Sequence, residues 1–173
     1  MTFHDASLDM GFFTHGDLAE AHKLDIDSGS PPLNVAELDK LFKSAKTEMR
    51  GVWQVGVADD YVNDKNQEYT QEEVRLVGFV IYLEHKDKPT EIYRLSVHYL
   101  ANYPLVATAL LRDIKGPIVT TVRQRNLDSK LDSGKKLLSF LKGRGFKKIG
   151  TRTQTFSFPL DKGVLFRYDA KTK

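Results

Sequence analysis

The segment from Glu91 to Leu111 contains the side chains that are best placed for chemistry. It reads EIYRLSVHYLANYPLVATALL, which starts with the alternation of a strand and ends with the spacing of a helix. Glu91 and His98 stand in the strand-like part, and carboxylates and imidazoles are common general bases. Each also has a structural explanation, because Glu91 suits the surface of a hairpin end and His98 suits a core position with satisfied nitrogens. Both are candidate proton acceptors with a structural alternative.

The junction between strand and helix, from Asn102 to Ala107, is a candidate anion-binding site. The unpaired N–H groups and the dipole of a helix start can hold a phosphate without a particular side chain. Glycine improves access to such amides because it has no Cβ, and this junction has no glycine. Pro104 removes one N–H donor, and the branched side chains of Leu105 and Val106 are expected to obstruct close approach. We therefore expect a phosphorylated ligand to bind weakly, in a shifted position, or not at all.

Other kinds of catalytic site find little support in the sequence. No metal site is predicted, because no metal-ligand spacing relates the five histidines, which are His4, His15, His22, His85 and His98. No Gly-x-Ser-x-Gly segment is present. The chain has no cysteine, which excludes disulfides, thiolate metal ligands and a cysteine nucleophile. This composition is consistent with a reducing compartment, and a cytoplasmic location is predicted.

Length and composition predict one soluble domain over residues 1–173. The chain is 40% apolar and 28% charged, and no apolar run approaches the roughly 18 residues that a membrane-spanning helix needs. The first residues lack a basic region ahead of an apolar segment, so no secretory signal is predicted. Neither membrane insertion nor secretion is expected from these features.

Charge is divided unequally along the chain. Residues 1–111 contain 10 Lys and Arg against 18 Asp and Glu, whereas residues 112–173 contain 16 against 5. The basic part favours an anionic partner, such as a nucleotide-like cofactor, a nucleic acid or an acidic protein. A solvated basic face is the alternative. Four side chains are candidates for reaching phosphates from the side, namely Arg112, Arg123, Arg125 and Lys130.

Hydrophobic periodicity predicts the order strand, two helices, three strands, helix, strand, helix and two strands. Thr14 or Asp17 is expected to cap the first helix and Asn34 the second. A polar hairpin is predicted over residues 60–73, between two of the three antiparallel strands. The helix predicted over residues 103–115 is expected to turn three side chains inward, namely Leu105, Ala109 and Leu110. This order indicates an α/β or α+β layer with helices on both faces of a mixed sheet.

With this order, the chain resembles the GCN5-related N-acetyltransferase (GNAT) superfamily along its whole length. The fourth strand of the family often reads Glu-x-x-x-Leu-x-Val, and Glu91, Leu95 and Val97 stand in that register. The acyl-CoA loop of the family, Gln/Arg-x-x-Gly-x-Gly/Ala, then falls on residues 102–107, of which Ala107 alone fits fully. The following Ala-Leu-Leu, residues 109–111, is similar to the opening of the helix behind that loop.

Two further motifs support the resemblance. The next strand of the family commonly ends Val-x-x-x-Asn, which matches Val122 and Asn126. The family signature that ends in Gly-Phe is similar to Gly145-Phe146. Two departures fall where the chemistry is expected, since Leu105 replaces the central loop glycine and Leu141 stands where many members carry a tyrosine acid. About eight extra residues also follow Asn126.

The resemblance implies a mostly antiparallel sheet of six to seven strands and an N-acyltransferase with acetyl-CoA or another acyl-CoA as co-substrate. It implies Glu91 or His98 as the base, an oxyanion site at the backbone N–H near Val97, and a cofactor site formed by Leu95, Val97, Asn102, Leu105, Val106, Ala107 and Asn126. Tyr99, Tyr103 or Tyr168 is available in place of the missing tyrosine acid. The acceptor is an amine, and its recognition is expected in residues 25–35 and 60–72.

Three functions are left open by the sequence. The first is the acyl-CoA-dependent N-acyltransferase. The second is a GNAT-fold binding or structural protein without activity and without a cofactor, such as a virus-encoded or otherwise diverged relative. The third is a basic domain that binds nucleic acid, which is disfavoured because the leucines of the basic segment 134–148 look directed to a core. A homodimer is left open. The transferase requires that the strands ending at Val97 and Val122 splay apart.

Overall fold

The computed structural model describes residues 4–28, 32–62, 68–124, 127, 132–154 and 161–169. These ranges contain seven strands and four α-helices. The strands are β1 (His4–Phe12), β2 (Thr47–Val62), β3 (Glu68–Leu83), β4 (Thr90–Val97), β5 (Ile118–Arg123), β6 (Lys147–Gln154) and β7 (Asp161–Tyr168). The helices are α1 (Leu18–Asp27), α2 (Val35–Phe42), α3 (Tyr103–Leu111) and α4 (Asp132–Arg144). The predicted order of elements is confirmed.

The strands form one sheet in the order β1-β2-β3-β4-β5-β7-β6. Neighbouring strands run antiparallel except β4 and β5, which are parallel because α3 connects them as a crossover helix. The predicted fold class, a mixed and mostly antiparallel sheet with helices on both faces, is therefore confirmed.

Each face of the sheet has its own apolar core. Phe79 and Ile81 of β3 pack with α1 and α2, whereas the alternating Val80 and Tyr82 pack with α3 and α4. Successive side chains of a strand point to opposite faces, so an uninterrupted apolar run on a central strand serves both layers. Among the described residues, no helix has the length and apolar character to span a membrane.

Polar side chains fix the starts of the first two helices. Thr14 and Asp17 form a capping box around the 3-10 turn (His15–Asp17) that leads into α1. Asn34 accepts a hydrogen bond of 2.7 Å from the N–H of Glu37 at the start of α2. The predicted cap of α2 is therefore confirmed, and at the first helix Thr14 acts together with Asp17.

Helix α3 corrects the prediction for its inward face. It ends at Leu111 instead of residue 115, and Gly116 follows with a positive φ of 82°. The buried positions are Val106, Ala107, Leu110 and Leu111, whereas Leu105 is 55% exposed. Positions i, i+1, i+4 and i+5 share one helical face, and the position before them falls at its edge. The inward assignment of Leu105 was wrong.

Strands β2 and β3 are longer than the sequence predicted. Their ladder reaches Val62 and Glu68, so most of the segment predicted as a polar hairpin is paired strand. Backbone hydrogen bonds do not require apolar side chains, and the apolar pattern underestimated these two strands for that reason. Strand β4 is shorter than predicted and ends at Val97.

A single extra residue makes β4 diverge from β5. On its β3 side, Arg94 pairs with Ile81 and Ile92 pairs with Tyr82, so Tyr93 is a bulge. On its β5 side, pairing covers three residues and ends with Ile92 opposite Thr120. A bulge bends a strand and increases its twist. Among the described residues, β4 and β5 are unpaired beyond this point, which leaves a gap, the wedge, between residues 93–97 and 121–123. The predicted splay is confirmed.

Glycine at position 78 allows α3 to lie close above the sheet beside the wedge. A Cβ on Gly78 of β3 would lie 2.4 Å from Cγ1 of Val106 and 3.3 Å from the carbonyl oxygen of Ser96. Such distances are shorter than a van der Waals contact, so any side chain at this position would displace α3. The start of α3 is therefore positioned by the absence of a side chain on β3.

Candidate active site

Backbone amides of β4 point into the wedge. The N–H of His98 donates to the carbonyl of Val77 on β3 at 2.8 Å. Amide directions alternate along a strand, so the N–H groups of Val97 and Leu95 point to the opposite side, towards β5. These two amides lie beyond the last β4–β5 pair. The structure therefore presents N–H donors at Leu95 and Val97, where the sequence predicted cofactor contacts and an oxyanion site.

A cavity of about 730 Å³ lies at the same end of the wedge, between the start of α3 and one face of α4. This size is within the range of small-molecule sites. Its lining, which defines the α3–α4 cavity, consists of Ala101, Asn102, Tyr103, Pro104, Thr108, Lys135, Lys136, Ser139, Phe140, Gly143 and Arg144. The Nε atom of Arg144 is buried and has no hydrogen-bond partner in the part of the chain that the structure describes.

The amides at the start of α3 are largely occupied. The N–H of Leu105 donates to Oδ1 of Asn102 at 3.2 Å, and the N–H of Val106 donates to the carbonyl of Asn102 at 3.0 Å. Pro104 has no N–H. Asn102 therefore acts as an N-cap that uses the donors expected for an anion. The predicted obstacles were the side chains of Leu105 and Val106, but Leu105 is exposed, Val106 is buried, and neither lines the α3–α4 cavity.

The cations near the cavity differ from the predicted ones. Arg112 is exposed beyond the end of α3, and Arg123 is buried at the end of β5. Arg125 and Lys130 lie outside the described residues, as does Asn126. Three other cations line the cavity, namely Lys135, Lys136 and Arg144. Their spacing was visible in the sequence, because residues 136, 140 and 144 share one face of the predicted helix.

Glu91 lies where β4 and β5 are still paired. It stands opposite Val119 of β5, and its Oε1 forms an ion pair with Nη2 of Arg152 on β6. His98 follows the other end of β4, so the seven residue steps between Glu91 and His98 span roughly 20 Å. The structure does not bring the two predicted bases together.

His98 is buried and surrounded by hydrogen-bond donors. Its Nε2 lies 2.9 Å from Nη2 of Arg75, and its Nδ1 lies 3.2 Å from the N–H of Leu100. Burial, and secondarily the positive charge of Arg75, lowers the pKa of His98. Since a guanidinium can only donate, Nε2 presents its lone pair to Arg75, and the neutral ring carries its proton on Nδ1, which therefore does not accept from Leu100.

A buried network joins α1 to β4 on the other face of the sheet. The carboxylate of Asp25, which is 0% exposed, accepts hydrogen bonds from Arg94, Ser96 and the N–H of Leu33. The Nη2 of Arg94 lies 2.7 Å from Oδ1 of Asp25. This group of four residues, the Asp25 network, ties the loop between α1 and α2 to the strand that borders the wedge.

Polar atoms continue from the Asp25 network towards β5. Tyr93, the bulge residue, hydrogen-bonds Glu37 of α2, and burial together with the charge of Glu37 raises the pKa of Tyr93. Thr121 Oγ1 and Arg152 Nε are buried without a hydrogen-bond partner among the described residues. Sequence reasoning missed both, because neither belongs to a motif and their burial depends on strands that are distant in the chain.

The three tyrosines proposed in place of the missing acid have different surroundings. Tyr99 is 59% exposed and stacks on His98 at 4.7 Å between centroids. Tyr103 lines the α3–α4 cavity, lies edge-on to Phe140, and has a pKa that burial raises. Tyr168 packs against Phe146. Leu141, at the position of the family acid, is 1% exposed in the core under α4.

Comparison with known proteins supports the fold through structure alone. No protein-family model and no curated sequence match the chain. The solved structure of the ribosomal-protein-S18-alanine N-acetyltransferase from Escherichia coli is similar, with a TM-score of 0.63, 11% identity and 96% of each chain covered. A GNAT-family acetyltransferase from Bacillus cereus is similar, with a TM-score of 0.58, 13% identity, and 94% of this chain and 97% of that chain covered.

The chain has the GNAT fold. A third GNAT-fold structure, that of Arabidopsis thaliana NAA60 in complex with acetyl-CoA, gives a TM-score of 0.63 at 12% identity and covers 96% of this chain and 100% of that chain. Identities of this size relate the fold and leave the reaction, the substrates and the site residues to be argued from this chain.

Proposed function

We propose that the chain is an N-acyltransferase that transfers an acyl group from acyl-CoA to an amine. The wedge beside β4 carries this proposal, because the N–H groups of Leu95 and Val97 point into a gap of the sheet that ends near a cavity with a basic wall. A neighbour with the same fold is in complex with acetyl-CoA. The proposal also fits the cytoplasmic location that the sequence predicts.

The residues at this end of the sheet fit acyl-CoA. Arg144 has a buried Nε without a partner among the described residues, which an anionic ligand would satisfy. The lining of the α3–α4 cavity combines aromatic rings, hydroxyls and cations, which suits a nucleotide. In this proposal the wedge holds the pantetheine arm against Leu95 and Val97, and the cavity holds the nucleotide part, with Asn102 and Ala107 fixing the start of α3.

The chemistry requires an activated acyl group, an oxyanion donor and a proton acceptor. Acyl-CoA supplies the first as a thioester. The N–H of Val97 stabilises the negative charge that develops on the acyl oxygen, and a preorganised backbone donor of this kind does not have to reorient. An amine with an ordinary pKa of about 10.4 has to lose a proton before attack at neutral pH. Thiols have a pKa of about 8.5, so the thiolate can leave without an acid at position 141.

Glu91 and His98 remain the proposed proton acceptors, and their surroundings favour different behaviour. His98 is neutral and lies beyond the end of β4, near the amide of Val97, but Arg75 donates to its Nε2. A base at this position requires Arg75 to move aside. Glu91 forms an ion pair with Arg152 at the closed end of the wedge. Because His98 lies nearer to the amide of Val97, its position makes it the better candidate for the base.

Acetyl-CoA binding and turnover test the proposal. Calorimetry of the full chain should show a saturable heat with acetyl-CoA, and saturation at 100 times the dissociation constant should raise the unfolding free energy by about 2.7 kcal/mol. Thiol release should follow when a panel of small amines and N-terminal peptides is added. If neither heat nor a thermal shift is observed at millimolar acetyl-CoA, the transferase proposal is wrong.

Two variants separate the candidate bases. His98→Gln should lower kcat by about 10²-fold or more with little change in the acetyl-CoA dissociation constant, since a general base typically contributes 10²–10⁴-fold. Glu91→Gln should lower kcat less. The reverse order of effects would transfer the role of base to Glu91.

The environment of His98 favours one alternative, a GNAT-fold protein that binds acyl-CoA without turnover. The single lone pair of the neutral ring, on Nε2, faces Arg75, and Nδ1 carries the ring proton, so the proton of an acceptor amine has no vacant position on the ring in this arrangement. Binding of acetyl-CoA without thiol release from any amine in the panel would support this alternative.

A further inference from the structure

We propose that Lys135, Lys136 and Arg144 of α4 hold the phosphate groups of acyl-CoA, in the role that backbone amides of α3 would otherwise have. This assignment rests on the proposed function, since acyl-CoA is the ligand in both. The assignment names the side chains that bind the phosphates, and it predicts the ligand specificity and the salt dependence of binding.

Positions 104–106 at the start of α3 offer no vacant N–H to a phosphate. Helix starts bind anions through N–H groups that lack an intrahelical partner. Here the N–H of Leu105 is bonded to the side chain of Asn102, the N–H of Val106 is bonded to its carbonyl, and Pro104 has no N–H. An anion would have to displace the Asn102 cap to gain one of these donors.

The face of α4 across the cavity offers cations in a regular arrangement. Lys136, Phe140 and Arg144 form one i, i+4 row, and Lys135, Ser139 and Gly143 form the adjacent row. At 1.5 Å per residue, Lys136 and Arg144 are about 12 Å apart along the helix axis. The two rows place positive charge at both ends of the cavity, with an aromatic ring and a hydroxyl between them.

These cations lack carboxylate partners in the part of the chain that the structure describes. Among the described residues, no Asp or Glu lines the cavity, and none of the ion pairs includes Lys135, Lys136 or Arg144. The buried Nε of Arg144 also has no acceptor there. Three cations around a cavity without a counter-charge attract an anion, and Arg binds phosphate with more than one N–H.

Charge at the two ends of the cavity suits a ligand with separated phosphates. Coenzyme A carries a diphosphate and a 3′-phosphate, whereas dephospho-CoA lacks the second. We therefore expect this chain to discriminate between the two ligands. We also expect the affinity to fall with ionic strength, because the lysines are exposed and their interactions are screened by salt.

Charge-removing variants test the inference by calorimetry with CoA at 50 and 300 mM salt. The double variant Lys135→Ala and Lys136→Ala should bind CoA at least about tenfold more weakly, as should Arg144→Met. Each should also lose part of the preference over dephospho-CoA and part of the salt dependence. Lys142→Ala is the matched control, because Lys142 is an exposed cation on the same helix that does not line the cavity; it should bind as the unmodified chain does.

Asn102→Ala tests the competing description. It releases the N–H of Leu105, so amide recognition predicts tighter CoA binding, whereas recognition by α4 predicts no gain in affinity. Thermal unfolding of each variant checks that it is folded.

The outcomes separate the two proposals. If the unmodified chain does not bind CoA, the transferase and the phosphate assignment both fail. If it binds CoA and the α4 variants bind equally well, or if Lys142→Ala weakens binding as much as they do, the phosphate assignment alone is wrong. Tighter binding by Asn102→Ala would mean that the amides of α3 bind the phosphates.

Discussion

Charged side chains on the two sides of β4 differ in whether they have partners of opposite charge. On the α1 side, Asp25 is fully buried and its carboxylate is saturated by Arg94, Ser96 and the amide of Leu33. On the α4 side, Lys135, Lys136 and Arg144 surround a cavity and have no carboxylate partner among the described residues. Internal compensation marks a structural network, whereas charge without compensation marks a place for a ligand. The comparison thus separates the scaffold from the proposed binding site within one fold.

The largest effect is expected at the compensated side. Asp25→Asn removes the counter-charge that Asp25 supplies to Arg94, whose side chain is 15% exposed. Breaking a buried ion pair by changing one partner costs about 3–5 kcal/mol, because the remaining charge stays desolvated. The unfolding free energy from denaturant titration should fall by this amount. CoA binding should persist when it is measured at a denaturant concentration well below the new midpoint of unfolding.

Asp39→Asn is the control for Asp25→Asn. Asp39 forms exposed ion pairs with Lys43 and His15, and its hydrogen bond with Lys43 lowers its pKa most. Solvent and salt weaken such pairs, so the midpoint should barely move. Equal effects of the two variants would contradict the distinction between the two sides of β4.

At the uncompensated side, Gly143→Leu should affect binding more than stability. A Cβ at position 143 meets no atom within 4 Å, and the residue lines the α3–α4 cavity. Replacing a helical glycine by leucine should raise the unfolding free energy by up to about 1 kcal/mol. The new side chain should occupy cavity volume and weaken CoA binding at least about tenfold, or 1.4 kcal/mol. Calorimetry and thermal unfolding measure the two changes.

A variant that is stabilised and still binds CoA normally would show that the ligand does not use the α3–α4 cavity. Gly150→Leu provides a comparison on β6, where a Cβ also meets no atom within 4 Å. It should leave CoA binding unchanged.

A smaller effect is expected from pH, through His98. Burial holds the pKa of His98 below its ordinary value of 6.5. Below pH 6.5 the unfolded chain therefore binds more protons than the folded chain, so this group contributes stability above pH 6.5 that is lost as the pH falls through the folded pKa. His98→Gln should remove that part of the pH dependence in unfolding experiments.

His85→Gln is the exposed counterpart, and it should retain the contribution of His98. If His98→Gln and the unmodified chain show the same pH dependence between pH 5 and 7, the ring is not held neutral by its surroundings.

The smallest effect is expected from Leu105→Gly. If this side chain obstructs the phosphates, as we expected from the sequence, CoA should bind more tightly after the change. Because Leu105 is exposed and outside the cavity lining, we expect less than about a twofold change in affinity. Clearly tighter binding would restore the obstruction hypothesis.

Local signals predicted most of the fold. The element order followed from apolar spacing. Asn34 was predicted as a cap because it directly precedes an apolar helical stripe, and its side chain accepts a hydrogen bond from the amide three residues later. The wedge followed from the family resemblance rather than from periodicity. Strand length was less predictable, since pairing between β2 and β3 continues through polar residues that no apolar pattern marks.

The site was less predictable because its interactions join distant residues. Asp25 lies 69 positions from Arg94 and 71 from Ser96, and Arg75 lies 23 positions from His98. No spacing in the sequence indicates such pairs. The inward orientation predicted for Leu105 was wrong for a different reason. A helix of nine residues allows two neighbouring choices of inward face.

The bulge at Tyr93 has a consequence for how this architecture gains or loses a ligand. Ile92 and Arg94 already face consecutive partners on β3, so excision of the one residue between them would leave that ladder regular. Strand β4 would then straighten and continue alongside β5 as an ordinary parallel neighbour. The gap that we propose for a thioester arm would then close through the loss of one residue, while the seven-stranded framework around it stayed the same.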